Sequence, residues 1–233
     1  MLETSQIIQA RQDSNYCYSG QVIKPVGIVV HSTGCNNPNL KRYVNNESEC
    51  GKNAYQNYFG GKLANSYVMP HAVIGYDKNL TVRVAQTLDW KARPAGCGPG
   101  SKGSYNKLPN GTGYIQFEIA EDNTNSLTYL KTVYEQAADL CAYLIHLYPD
   151  IKISNIVSHK EAHARGYASN HGDPEHWFSK YDYSMDDFRK LVQVKLKAYE
   201  GETEYYATAV FNNLAAADAF ISSHPGIKFK ERS

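Results

Sequence analysis

Three polar clusters in this sequence carry residue types that do chemistry, and each stands at or inside an apolar run. His31-Ser32-Thr33 closes the run VIKPVGIVV, Glu118 lies within YIQFEIA, and SHKEAHARGYASNHGDPEHW fills residues 158–177. That last segment holds four of the eight histidines, His159, His163, His171 and His176, together with Glu161, Asp173 and Glu175. Zinc takes imidazole nitrogen and carboxylate oxygen, and a catalytic zinc site uses three protein ligands plus a water. The string HKEAH fails the metalloprotease test, because that motif places Glu directly after the first His. Glu161 stands two places after His159, roughly 200° around a helix from it. A histidine-rich segment alone does not establish a metal.

The elements that hold these clusters are legible from periodicity. Residues 22–30 read as a short, nearly continuous apolar strand ending at His31. Residues 35–61 are polar and Asn-rich, as loops and short helices around a site would be. Residues 67–76 and 80–86 resemble two strands joined by Asp77-Lys78-Asn79. Residues 96–113 are rich in Gly, Ser, Asn and Pro and read as loop. Residues 114–120 alternate, with Ile115, Phe117 and Ile119 on one face and Gln116 and Glu118 on the other. Leu127, Leu130, Val133, Tyr134, Ala137, Leu140, Cys141 and Leu144 recur at helical spacing over 127–147, and Pro149 stops that helix. A short strand over 153–157 leads into Ser158-His159. Ser184, with Asp187 three residues on, opens a helix over 185–197. Strand, helix and strand in sequence over 114–157 predict an α/β fold, a mixed β-sheet with helices packed on it.

Composition bounds the function. The chain has 233 residues, 42% of them hydrophobic and 20% charged, an ordinary globular balance. Lys and Arg number 24 against 23 Asp and Glu, so the basic footprint of a nucleic-acid binder is missing. No apolar run approaches the 18 or so residues of a membrane-spanning helix. The first twenty residues lack the basic start and apolar stretch of a secretory signal, which predicts synthesis in the cytoplasm. Five scattered cysteines, an odd count without CxxC, predict reduced thiols rather than a disulfide framework. Nineteen tyrosines against seven phenylalanines suit a surface that touches sugars or peptides, and suit a core equally. Composition shifts after Lys197. The division expected is a main domain over 1–198, a polar linker over 199–204, and a β-α-β appendage over 205–233 too small for its own core.

Taken together, VVHSTGCNNPNLKRYV, IQFEIAED, SHKEAHARGYASNHGDPEHWF and MDDFR resemble the zinc-dependent N-acetylmuramoyl-L-alanine amidases of the peptidoglycan-recognition-protein-like family. The likeness is to the endolysin and autolysin branch of Gram-positive bacteria and their phages, and it runs from about Tyr16 to Leu196. It implies one zinc ion in a groove, with His31, His159 and Asp173 as ligands. It also implies Glu118 as general base and His171, two residues before the third ligand, as the group that stabilises the oxyanion. His71 is expected to line the groove and Glu161 to support His159. The implied partner is bacterial peptidoglycan, glycan and stem peptide. The implied setting is a phage or prophage lysin acting at the cell wall.

Two departures fall near the expected groove. Many relatives carry Trp-His where this chain reads KARPAGCG over 91–98, and Thr-His where it has Gly113-Tyr114. Two other functions therefore stay open at this point. One is a peptidoglycan receptor that has kept the groove and lost turnover, and the presence of Asp173 argues against it. The other is a zinc peptidase acting within the stem peptide.

Overall fold

The computed structural model describes residues 1–14, 17–61, 68–122 and 126–199. Six strands form one mixed sheet: β1 (Ile8–Gln9), β2 (Lys24–Asn36), β3 (Ala72–Tyr76), β4 (Val82–Gln86), β5 (Thr112–Glu121) and β6 (Ile156–Ser158). Their order across the sheet is β1-β4-β3-β5-β2-β6. The β3–β4 pair is antiparallel, and every other neighbouring pair runs parallel. The helices are α1 (Glu47–Cys50), α2 (Leu127–Leu147), α3 (His159–Ala164), α4 (Glu175–Phe178) and α5 (Met185–Tyr199). This is the mixed sheet with packed helices that the sequence predicts. The appendage over 205–233 and most of the linker before it lie outside the described residues.

One face of the sheet is hydrocarbon. Ile28, Val30, Ile74, Ile115, Phe117 and Ile119 meet Leu130, Val133, Ala137, Leu140 and Leu144 of α2 and Phe188 and Val192 of α5 in one fully buried cluster. Each Ile, Leu, Val or Phe among them contributes roughly 1.5–3 kcal/mol when fully buried. Ser126 caps α2 by accepting the N–H of Tyr129, and Ser184 accepts the N–H of Asp187 at the start of α5. Because strand side chains alternate, fixing Phe117 in this core turns Gln116 and Glu118 to the other face. Loops from 37–61 and 87–111 cover that second face, and no helix among the described residues is long and apolar enough to cross a membrane.

The first long strand continues past the point predicted. It runs through His31 to Asn36, because regular pairing with β5 persists past Val30 to Ser32 and, after an irregular stretch, resumes at Asn36. Glu121 holds this extension, accepting from Ser32 Oγ at 2.7 Å and from the Gly34 N–H at 2.9 Å. A second irregularity lies between Pro25 and Gly27, where Tyr114 presses on the backbone. A Cβ at Gly27 would stand 2.2 Å from the Tyr114 ring, which is itself stacked on Tyr105 at 3.8 Å between centroids. Gly27→Ala should therefore destabilise the protein by about 1–3 kcal/mol, the usual cost of overpacking. Urea denaturation checks this; an unchanged midpoint would mean that the tyrosine stack yields freely.

Candidate metal centre

Parallel pairing sets His31 opposite Glu118 and Val30 opposite Ser158. His159, the residue after Ser158 and the first of α3, therefore arrives at the carboxyl end of β6 beside His31, which lies within β2. Ser158 caps α3 through a reciprocal pair of bonds: its hydroxyl accepts the Glu161 N–H, and Glu161 accepts the Ser158 N–H. That box fixes the turn that aims His159. Asp173 comes in from the loop before α4, with its backbone carbonyl accepting the His159 N–H at 3.1 Å. His31, His159 and Asp173 are all buried, and one donor atom from each lies within 4.8 Å of the others.

The contacts inside this cluster are close. His31 Nδ1 is 3.1 Å from Asp173 Oδ2, and His159 Nδ1 is 3.5 Å from Asp173 Oδ1. The two histidine Nδ1 atoms are 3.0 Å apart. Two imidazole nitrogens that close need a proton or a cation between them, since two lone pairs repel. Burial pushes the His31 pKa down, against the opposing pull of its bond to Asp173, so the ring favours its neutral, ligating form. Burial pushes the Asp173 carboxyl up, but hydrogen bonds from His159 and His31 outweigh it and hold the group well below the usual carboxylate range. Two imidazoles and an ionised carboxylate are a donor set that fits a zinc ion.

Glu118 sits beside this cluster, 7% exposed, with Oε2 buried and without a protein hydrogen bond. Burial, then the charges of Asp173 and Glu121, raise its pKa well above the ordinary value. His171 is more open, with 61% of its side chain exposed. Its ring stacks on His159 at 4.6 Å between centroids, nearly parallel, and Nδ1 is 3.8 Å from Asp173 Oδ1. All five residues line one cleft of about 550 Å³.

Neither of the two remaining candidates is among the residues that line the cleft. His71 does not line the cleft: it is fully buried, Nδ1 accepts the Gln116 N–H at 3.0 Å, and Nε2 faces the Ala92 carbonyl at 2.9 Å. Burial pushes its pKa down to about 4, so it is a neutral histidine fastening loop to sheet. Glu161 supports α3 through the Ser158 cap and a two-pronged pair with Arg189, at 2.9 and 3.0 Å, rather than by a bond to the His159 ring. His176 pairs with Glu121 at 3.1 Å, and His163 faces the Ala168 carbonyl at 3.1 Å. Both histidines hold structure together.

The polar composition of 35–61 points to loops around the site without singling out any residue in them. Arg42, Tyr43, Asn57 and Phe59 form the far wall of the cleft. Tyr43 is buried there, stacked on Phe59 at 5.6 Å, and its hydroxyl lies 2.8 Å from the Asn37 carbonyl. The chemistry of this wall has no short motif, so spacing could not reveal it. Ser169, whose Oγ is 3.4 Å from His159 Nε2, was equally invisible within a polar run.

Two buried histidines and a carboxylate gathered beside adjacent parallel strands, with a buried glutamate alongside, define a candidate metal-dependent hydrolase of the mixed α/β class. The comparison with family models agrees: residues 21–176 match the N-acetylmuramoyl-L-alanine amidase model, and the chain belongs to that family. A comparison with curated proteins gives no match. Among solved structures, the chain is similar to the Staphylococcus aureus hydrolase AmiA in complex with its ligand, at 17% identity and TM-score 0.60, over 88% of this chain and 90% of that one. It is similar to the PlyG catalytic domain at 19% identity and TM-score 0.55, covering 82% and 94%. An endolysin from Bacillus subtilis, solved as a mutant, matches at 18% identity and TM-score 0.52, covering 82% and 99%. Identities this low speak for the shared fold.

Proposed function

We propose that this chain cleaves the amide between the lactyl group of N-acetylmuramic acid and L-alanine in peptidoglycan, with one zinc ion held by His31, His159 and Asp173. The observation that carries this reading is the register of β2 on β5, which sets a buried glutamate beside a three-donor cluster in a chain of this family. When bound, zinc would polarise the amide carbonyl and lower the pKa of a water toward neutrality. Glu118 takes a proton from the attacking water and delivers it to the leaving amine as the C–N bond breaks. Its raised pKa favours holding that proton between the two halves of the transfer. His171, at the mouth of the cleft, donates to the carbonyl oxygen as negative charge develops there. The products are a glycan strand ending its lactyl group in a free carboxylate and a stem peptide with a free L-alanine amine. Action at the bacterial wall, as a phage or prophage lysin, is the setting that this bond implies.

His171→Ala should lower kcat by about 10²–10³, the cost of losing one oxyanion donor, while zinc stays bound. Loss of zinc in that variant would instead make His171 a structural support of Asp173. Mass spectrometry of digested peptidoglycan tests the bond itself. Free peptides beginning at L-alanine, with intact glycan strands, support the amidase. Fragments cut inside the stem would move the reading to a peptidase, and wall binding with no products would move it to a receptor.

A further inference from the structure

Gln116 is fully buried on the same face of β5 as Glu118, in register with Val29, two residues before His31. A chain of bonds that starts at the backbone fixes its orientation. The N–H groups of Gly96 and Cys97 donate to Asn106 Oδ1 at 3.2 and 2.9 Å, and Asn106 Nδ2 donates to the Cys97 carbonyl at 2.6 Å. Those bonds leave the Asn106 amide one way to point. Asn106 Oδ1 also accepts from Gln116 Nε2 at 2.9 Å, which turns the Gln116 carbonyl oxygen away from Asn106. That oxygen is buried and makes no hydrogen bond of full geometry. It borders His31: a Cβ at Gly96 would stand 2.3 Å from Gln116 Oε1 and 3.4 Å from His31 Nε2.

We propose that Gln116, anchored by Asn106, is a positioning residue that keeps the single His31 ring proton on Nε2 and leaves the Nδ1 lone pair for the metal. The inference rests on the zinc reading above. A neutral imidazole carries one donor and one acceptor, and here two acceptors compete for its proton. Asp173 Oδ2, 3.1 Å from Nδ1, draws it toward the side a metal needs free. Gln116 Oε1 draws it to the opposite side, where Cys97 Sγ at 4.0 Å is a weak alternative. Being uncharged, the amide does this without adding a further anion to a site that already holds Asp173 and Glu118. Ser169 Oγ, 3.4 Å from His159 Nε2, is the corresponding contact on the second ligand.

Gln116→Met keeps the length of the side chain and removes the acceptor. Zinc affinity, measured by competition with a chromophoric chelator, should fall 10–100-fold, the usual cost of losing an outer partner of a ligating histidine. Zinc binding within twofold of wild type in the folded variant overturns the proposal. Nitrogen-15 correlation spectra of the zinc-loaded wild-type protein give a second reading that needs no variant to fold. They should show His31 bound through Nδ1, with a slowly exchanging Nε2 proton. Coordination through Nε2 overturns the proposal whatever Gln116→Met does. Zinc binding by wild type with no change in Gln116→Met would sink this inference alone, whereas a wild-type protein that binds no zinc would sink the reading on which it rests.

Discussion

Glu118→Gln should all but stop turnover and, in the metal-free protein, raise stability. The activity loss is expected at 10²–10⁴-fold in kcat, the range for a positioned general acid–base group. Glutamine keeps the shape of the side chain and cannot carry the proton. Wall binding and zinc affinity should stay near wild type, because Glu118 is outside the donor cluster. The stability effect follows from the raised pKa of Glu118. Glu118 is easily protonated when folded, so its burial is harmless below the ordinary glutamate pKa, where both states carry the proton. As pH rises toward the elevated folded value, the unfolded chain ionises freely and the folded one does not, so stability is lost. The gain from Gln should therefore be absent near pH 4 and reach roughly 1–3 kcal/mol at neutral pH, the scale of relieving an unsatisfied buried group. Urea titrations at the two pH values check it. Equal stability at both would mean that Glu118 is solvated, and turnover within tenfold of wild type would remove it from the chemistry.

Asp173→Ala should abolish tight zinc binding and with it turnover. Loss of a direct ligand should exceed the 10–100-fold that an outer partner costs. This change moves stability in the opposite sense to Glu118→Gln. Although burial pushes the Asp173 carboxyl up, the bonds from His159 and His31 win and hold it low. A depressed pKa contributes stability above the ordinary aspartate value and loses it as pH falls through the folded one. Metal-free Asp173→Ala should thus be less stable than wild type at neutral pH, by up to about 3–5 kcal/mol, the cost of stripping one partner from a buried pair. The gap should narrow in acid. Isothermal titration with zinc and denaturation across pH separate the two effects. If Asp173→Ala kept submicromolar zinc, a different third ligand would have to be sought.

The sheet and its helices were legible where pattern met burial. Alternation over YIQFEIA assigned Ile115, Phe117 and Ile119 to the core and Glu118 to the other face, and the core cluster bears out that division. The helix over 127–147 carried both its apolar stripe and its stop signal, and it forms over those residues. The strand ending at His31 looks shorter from sequence than it is, because Ser32, Thr33 and Gly34 have the character of loop residues. What extends it is Glu121, a partner 87–89 residues away that local pattern cannot supply. Ile8–Gln9 was missed for a related reason: two residues make a strand only because β4 offers an edge. Of the site, His31, His159, His171, Glu118 and Asp173 do gather in one cleft, and their motifs were quotable from the sequence. His71 misled because a polar residue after Pro70 at a strand reads the same whether it faces a cleft or the backbone of a covering loop. The Gln116–Asn106 relay was hidden, since only the fold brings residues from β5 and the 96–113 loop against His31.

Zinc titration of the stripped protein tests the central claim most directly, with release of L-alanine-terminated peptides from purified peptidoglycan followed at each addition. Activity should be lost on chelation and return in proportion to zinc, levelling at one equivalent, with Glu118→Gln taking up the same equivalent and releasing nothing. Full turnover by protein stripped of metal, or recovery that needs more than one ion, would contradict a single zinc held by His31, His159 and Asp173 as the centre of this enzyme.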